Sequence, residues 1–261
     1  MPPLTGPGPD VVVLLHGVGV GGPAFAPVAT ALAATTTVVV PDRRGYGDRA
    51  DATPATGLDD QVDDLAAVVA SLRAAHGRPP ALVGVSGGAT LALALALRVT
   101  ASGDDLLGPT VVHEPLLGPL APRLHAAVVD TYERTVAVDP QLAATYVAGL
   151  VGPATWAALE PAERDAVPGR TATIAAEIPH FLGFAPTADA LAGLRPHPLW
   201  SSVGERSPAG RREAHDVLVA LAGATALEVP DAGHLPQVDA PVAFARALRR
   251  VLAPTHLAGT P

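Results

Sequence analysis

The sequence predicts an α/β fold in which a mostly parallel sheet is covered by helices on both faces. Short apolar runs rich in β-branched residues alternate with stretches of helical periodicity, a pattern typical of successive strand–helix units. A glycine-rich turn at residues 84–88 separates one such run from a long Ala/Leu stretch. The alternation stops over residues 118–194, where Ala-rich helical stretches predominate. We therefore expect a core formed by residues 1–117 and 195–261, with residues 118–194 inserted as a helical lid.

Four strands and three helices are predicted before the insertion. The strands are continuous apolar or β-branched runs, as in a sheet covered on both faces. They span residues 11–15, 35–40, 81–83 and 109–112. The helices span residues 23–34, 58–72 and 89–99. In the third helix Ala and Leu alternate with the period of a strand. Neither residue is β-branched, and the stretch follows a glycine turn, so we predict a buried helix.

Two or three helices are predicted within the insertion, the clearest at residues 124–136 and 142–150. The insertion is rich in the few aromatic side chains of this chain, which is typical of a lid over a pocket. A helical subdomain packed only for stability would have the same pattern, so both interpretations stay open. The alternation then resumes with a strand at 198–205, a helix at 209–222, a strand at 226–229 and a helix at 241–252.

The composition excludes several classes of protein. The chain has 261 residues, of which 49% are hydrophobic and 16% charged, so we expect one large domain with a substantial core. The formal net charge is −8, and the seventeen basic residues are all arginine without any run of them, which disfavours nucleic-acid binding. The absence of cysteine excludes disulfides and thiolate catalysis.

The sequence predicts no membrane attachment and no cofactor. The N-terminus lacks the basic start and apolar stretch of a secretory signal, and apolar segments of membrane-spanning length all have polar interruptions, so we expect a cytoplasmic protein. The glycines of Pro41–Arg49 fit neither a P-loop nor a dinucleotide fingerprint, and we predict a turn held by local ion pairs. The oligomeric state is open, and a homodimer is compatible with the sequence.

The turn Gly84-Val85-Ser86-Gly87-Gly88 carries the strongest functional signal. It lies between a predicted strand and a predicted helix, which is the context of a G-x-S-x-G nucleophile elbow. Its glycines allow a tight turn that leaves the Ser86 hydroxyl exposed, and the backbone N–H groups that begin the helix point toward an oxyanion formed there. The alternative is a glycine-rich turn with an incidental serine.

A serine nucleophile needs a base, and His234 is the candidate. It follows the last predicted strand, so it should lie at the same edge of the sheet as Ser86. No pair among the nine histidines has the H-E-x-x-H pattern of a zinc protease, so no metal site is expected. The loop after the first strand provides Gly17 or Val18 as a second oxyanion donor, and His16 is expected to be a structural hydrogen-bonding residue there.

The order of these features over residues 10–252 resembles the α/β-hydrolase fold family. The resemblance implies that Ser86 is the nucleophile and His234 the base, with Gly87 and the Gly17-Val18 segment forming the oxyanion hole. It implies two-step acyl transfer to water, with a small-molecule ester or lactone as substrate and no cofactor. Relatives that hydrolyse carbon–carbon bonds, perhydrolases and inactive small-molecule binders share these motifs and remain alternatives.

The third catalytic residue departs from the common pattern of the family. The usual position of the acid holds Ser207, which carries no negative charge. Two carboxylates are alternatives. Glu114 ends the strand after the nucleophile, and Pro115 predicts an extended backbone that continues that strand. Glu205 adjoins the usual position but is offset from it. We favour Glu114.

Three short stretches resemble a narrower group, the zearalenone lactone hydrolases. They are His113-Glu114-Pro115, Trp200-Ser201-Ser202-Val203-Gly204 and Asp231-Ala232-Gly233-His234-Leu235-Pro236. That group takes its acid from the strand after the nucleophile, which implies Glu114 here. Its lid carries an aromatic residue that closes over the macrolide, and Phe181 lies where a tryptophan would be expected. The resemblance therefore implies Phe181 as a substrate-binding residue.

Overall fold

The computed structural model of the chain describes residue 6 and residues 10–53 and 55–253. The other parts of the predicted core, at residues 1–5, 7–9, 54 and 254–261, lie outside the described residues. Six strands form one sheet in the order β2-β1-β3-β4-β5-β6, and every neighbouring pair is parallel. The strands are β1 Val11–Leu15, β2 Thr37–Val39, β3 Ala81–Val85, β4 Thr110–His113, β5 Leu199–Gly204 and β6 Thr225–Val229. The predicted α/β fold is confirmed.

Helices cover both faces of the sheet. The core helices are α1 Ala26–Leu32, α2 Leu58–His76, α3 Gly87–Ser102, α10 Ala209–Ala222, α11 Pro236–Asp239 and α12 Pro241–Leu252. Alternate residues of β1 belong to two separate apolar clusters, because successive strand side chains point to opposite faces. Val12 packs in the cluster that includes α1 and α12, and Val13 packs with α2, α3 and α10. Within the described residues, no helix combines the length and apolar character needed to cross a membrane.

The segment between β4 and β5 contains more helices than the sequence pattern predicted. These are α4 Pro122–Glu133, α5 Ala143–Val151, α6 Pro153–Ala158, α7 Pro161–Ala166, α8 Thr171–Leu182 and α9 Ala188–Gly193. Two of the helices that were not predicted, α6 and α7, have six residues each, which is too short for periodicity to be read. A third, α8, contains Pro179, which usually ends a helix, and yet continues to Leu182.

Candidate active site

Ser86 lies in a strained turn between β3 and α3. Its φ is 56° and its ψ is −125°. Residues with a side chain rarely adopt this conformation, because it costs about 1–3 kcal/mol. Glycine is needed at positions 84 and 88 because other backbone atoms pack closely against them, and not because either residue has a positive φ. A Cβ at Gly84 would lie 2.3 Å from the carbonyl oxygen of Gly88, and one at Gly88 would lie 2.2 Å from that of Leu15. The helix therefore packs directly on the sheet, which leaves Ser86 at the sheet edge.

His234 bridges Ser86 and Glu114. It lies in the loop after β6, and its Nε2 is 3.0 Å from the Ser86 Oγ. Its Nδ1 is 2.7 Å from Oε2 of Glu114. Because a carboxylate accepts hydrogen bonds, the Nδ1–H donates to Glu114, and Nε2 is left as the acceptor for the serine hydroxyl. The structure therefore brings together the three residues that the sequence had proposed for one site, although they are far apart in the chain.

The backbone of Glu114 differs from the expectation. An extended residue continuing the strand was predicted from Pro115, but β4 ends at His113 and Glu114 has a φ of 54°. Its N–H still donates to the carbonyl oxygen of Ser202 in β5, at 3.3 Å, so the chain turns immediately after its last contact with the neighbouring strand. The prediction was wrong because the rule for a residue before proline disfavours the right-handed helical region without excluding a left-handed turn.

The Glu114 carboxylate is 1% exposed and is surrounded by donors. Its Oε1 accepts the Ser207 hydroxyl and the Gly204 N–H, the latter at 3.2 Å. The Nε of Arg211, from α10, lies 3.3 Å from Oε2. Ser207, at the position where the family resemblance places the acid, therefore donates a hydrogen bond to the carboxylate of Glu114. Sequence reasoning missed Arg211, because helical periodicity does not reveal where a buried arginine directs its charge.

Glu205, the alternative acid, lies outside this cluster. Its side chain is exposed, and its Oε2 accepts the N–H of Asp231 at 2.9 Å. That bond joins the turn after β5 to the turn after β6. The carboxylate that contacts His234 is that of Glu114.

The surroundings of His234 and Glu114 keep both side chains deprotonated near pH 7, so that the imidazole is neutral and the carboxylate is charged. Burial, and then the Arg211 cation, lower the pKa of His234 to about 4, so the ring is neutral near pH 7. Burial alone would raise the pKa of Glu114. The His113 ring beside it, the hydrogen bond from His234 and the Arg211 cation outweigh burial and hold the pKa of Glu114 well below its usual range. A neutral imidazole beside a carboxylate is the state that general-base catalysis requires.

The predicted oxyanion donors surround Ser86. A Cβ placed on Gly17 would lie 2.9 Å from the Ser86 Cβ, so the loop after β1 packs against Ser86. A Cβ on Gly87 would meet Val18 and Phe181, each at 3.1 Å. Gly17, Val18 and Gly87 therefore border the space in front of the serine hydroxyl. Phe181 of α8 covers this space, and we call the side chains of α8 that cover it the roof of the cavity.

The cavity in front of Ser86 is narrow, and most of the side chains that line it are apolar. Its volume is about 20 Å³, which is room for about one water molecule. Besides Ser86, Gly87, Glu114, Arg211 and His234, it is lined by Val18, Leu116, Val128, Tyr146, Leu150, Ile178, Phe181 and Leu182. Most of these apolar residues come from α4, α5 and α8, so the inserted helices cover the serine.

A second buried cluster lies beneath the loop after β1, and the sequence did not predict it. Arg43 was expected to form a local ion pair, but its guanidinium reaches Glu177 of α8, with its Nη1 at 2.6 Å from Oε2. The neighbouring Arg44 pairs with Asp64 of α2, which also lies outside the turn. His16 is fully buried, and its Nδ1–H donates to the Gly17 carbonyl while Nε2 accepts the Arg43 N–H. These contacts assign His16 a hydrogen-bonding position in the loop.

Solved structures of other proteins share this architecture. The chain is similar to a thermophilic esterase from Thermogutta terrifontis, with 23% identity, a TM-score of 0.72 and coverage of 95% of this chain and 90% of that one. It is also similar to the enol-lactonase from Burkholderia xenovorans LB400, with 20% identity, a TM-score of 0.67 and coverage of 93% and 91%. At these identities the likeness describes the fold.

Sequence similarity extends over a part of one curated protein, and a family model matches most of this chain. The magnesium-chelatase 30 kDa subunit of Rhodobacter capsulatus is 40% identical over 96 residues. The matched stretch is 36% of this chain and 32% of that relative, so the chain spans about one third of the length of the curated relative. The model of the alpha/beta hydrolase family matches residues 12–247, which include the candidate site. The chain belongs to the alpha/beta hydrolase family.

Proposed function

We propose that this protein is a serine hydrolase that cleaves a carboxylic ester or a lactone through an acyl-enzyme. In this proposal Ser86 is the nucleophile, His234 is the general base and Glu114 orients His234. The observation that carries the proposal is the continuous hydrogen-bonded chain from the serine hydroxyl through the imidazole to the carboxylate, at 3.0 and 2.7 Å. Membership of the alpha/beta hydrolase family supports a hydrolase.

Acylation begins when His234 Nε2 takes the proton of the Ser86 hydroxyl as its oxygen attacks the substrate carbonyl carbon. Glu114 stabilises the imidazolium that forms, since its carboxylate accepts the Nδ1–H. The N–H of Gly87 and that of Val18 or Gly17 stabilise the oxyanion of the tetrahedral intermediate. When the intermediate collapses, the leaving alkoxide receives the proton from Nε2.

Deacylation repeats these steps with water. His234 takes a proton from a water molecule, whose oxygen attacks the acyl carbon, and collapse returns the proton to Ser86 and releases the acid. In a lactone the leaving alcohol stays tethered to the acyl group and departs with it. The neutral imidazole needed for both steps is favoured because the pKa of His234 is lowered to about 4.

We propose more specifically that the substrate is a macrolide lactone such as zearalenone. This proposal is supported by the three stretches around Glu114, Trp200 and His234 that resemble the zearalenone lactone hydrolases. The apolar lining of the serine cavity suits a ligand with a large apolar surface. Phe181 is the proposed aromatic contact, because it lies over Gly87 beside the nucleophile.

The test combines serine labelling with a substrate panel. A fluorophosphonate probe should label wild-type protein at Ser86, and Ser86→Ala should abolish both labelling and turnover. We expect hydrolysis of p-nitrophenyl esters of increasing acyl length and of a macrocyclic resorcylic lactone. Folded wild-type protein without labelling would contradict the catalytic proposal and favour a small-molecule-binding role. Cleavage of only short linear esters would contradict the macrolide proposal alone.

A further inference from the structure

The loop that borders the nucleophile is held by residues of the inserted helices. We call residues 16–21 the oxyanion loop. The N–H of Gly21 donates to Glu163 of α7 at 2.9 Å, and the carbonyl of Gly19 accepts from Arg170 at 2.9 Å. These contacts span 142 and 151 positions in the chain. The path of the loop therefore depends on where the lid lies.

A third contact with the lid runs through Tyr46. The Gly19 N–H donates to the Tyr46 hydroxyl at 2.8 Å, and that hydroxyl donates to the carboxylate of Glu177 in α8. Burial raises the pKa of Tyr46, so the hydroxyl stays protonated and can donate. Glu177 thus reaches the Gly19 peptide through one intermediate side chain.

The same carboxylate also holds Arg43. The Arg43 guanidinium donates to Glu177 at 2.6 Å, to the Gly17 carbonyl at 2.7 Å and to the His16 carbonyl at 3.1 Å. Because a peptide unit is planar and trans, fixing the Gly17 carbonyl also fixes the direction of the Val18 N–H, which points the opposite way. Arg43 therefore sets the orientation of a proposed oxyanion donor.

Substrate binding at Ser86 would disturb this arrangement. The cavity in front of Ser86 holds about 20 Å³, so an ester that reaches the serine displaces side chains that line it. Ile178, Phe181 and Leu182 of α8 form part of the roof, and Glu177 directly precedes them on the same helix. A displacement of α8 that admits substrate would withdraw the shared acceptor from Arg43 and Tyr46.

We propose that Glu177 is a positioning residue, which holds the oxyanion loop in its catalytic arrangement while the inserted helices cover Ser86. Its carboxylate holds Arg43 and Tyr46, and these two side chains orient the Gly17 and Gly19 peptides. The inserted helices thereby couple enclosure of Ser86 to stabilisation of the transition state. This inference rests on the proposed ester or lactone hydrolysis at Ser86.

The test compares Glu177→Gln with Asp165→Asn, which removes an exposed carboxylate of α7. With a p-nitrophenyl ester, Glu177→Gln should lower kcat by about 30- to 100-fold, somewhat less than direct loss of an oxyanion donor, and change KM by less than about threefold. The inhibition constant of an aryl trifluoromethyl ketone should weaken by a similar factor, because its hemiketal oxygen occupies the oxyanion position. Asp165→Asn should behave as wild type.

Tyr46→Phe provides a second variant if Glu177→Gln does not fold. It keeps the Arg43–Glu177 pair, removes the acceptor for the Gly19 N–H, and should lower kcat by about tenfold. A folded variant of either kind with kcat within threefold of wild type, or with raised KM alone, would overturn the inference while the proposed function stands. Wild-type protein with neither turnover nor Ser86 labelling would overturn both.

Discussion

The two halves of the candidate site are supported by different parts of the molecule. The residues of the hydrogen-bonded chain, Ser86, Glu114 and His234, follow β3, β4 and β6 and are bound mainly to one another and to core residues. The oxyanion loop is bound by Glu163, Arg170 and, through Tyr46 and Arg43, by Glu177. The proposed movement of the inserted helices should therefore leave the proposed nucleophile and base in contact while it releases the proposed oxyanion donors.

Backbone strain is concentrated in the half of the site that contains Ser86, Glu114 and His234, which we call the core half. Among the described residues, those other than glycine with a positive φ are Ser86, Glu114 and Asp231. Each comes directly after, or within two residues of, the carboxyl end of a strand. Such residues cost about 1–3 kcal/mol each and persist where the surrounding structure holds them, and a packed sheet edge supplies that support. The oxyanion loop instead contains glycines, and hydrogen bonds from other elements fix its path.

The largest expected effect concerns the acid of the core half. Glu114→Gln should lower kcat/KM by about 10³-fold or more, because a carboxamide does not stabilise the imidazolium and can favour the wrong tautomer of His234. Glu205→Gln is the matched control and should stay within about twofold of wild type. Steady-state ester hydrolysis by both variants measures the difference. The opposite ranking would transfer the acid role to Glu205 and break the comparison between the two halves.

The second prediction moves the acid back to its usual position. Ser207 touches the Glu114 carboxylate, so the two positions face the same space beside His234. Adding Ser207→Asp to Glu114→Ala should restore kcat/KM by about tenfold over Glu114→Ala alone, because a carboxylate again lies near Nδ1. Circular dichroism should show that both variants fold. A folded double variant no more active than the single one would show that a carboxylate at position 207 cannot replace that of Glu114.

Much of the core could be predicted from sequence because its elements are long or buried throughout. The predicted helix at 241–252 matches α12, and the predicted strand at 11–15 matches β1, whose five residues are all buried. The short lid helices α6 and α7 could not be predicted, because six residues do not establish a period and each begins with proline after a break. Local pattern is weakest where tertiary packing decides the structure.

The same limit applies to the candidate site. Ser86 and His234 could be found because each stands in a glycine-rich turn directly after a strand, and parallel strands bring such turns to one edge. The Arg43–Glu177 pair could not be found, since 134 positions separate the partners and the neighbouring Arg44 pairs instead with Asp64 of α2. The proposed supports of the oxyanion loop come from tertiary contacts that no motif records.

The smallest predicted effect is a shift in pH dependence caused by Arg211→Met. Arg211 lies 3.3 Å from Glu114, and its cation is one of the groups that lower the pKa of His234. His234 acts as a base when neutral, so kcat/KM rises with pH through the pKa of His234 in the free enzyme. Removing the cation raises that pKa, and the acidic limb of the profile should move to higher pH while kcat/KM near pH 8 changes by only a few-fold.

Arg212→Met is the control for that shift. Arg212 is the next residue of α10, but its guanidinium pairs with Glu228, so the profile should match wild type. Arg211 also donates to the Leu150 carbonyl of α5 at 3.1 Å, a direct contact between the core half and the lid. If Arg211→Met changed KM without moving the acidic limb, Arg211 would act through the lid rather than through His234. Both halves of the site would then depend on the inserted helices, and the division between them would have to be redrawn.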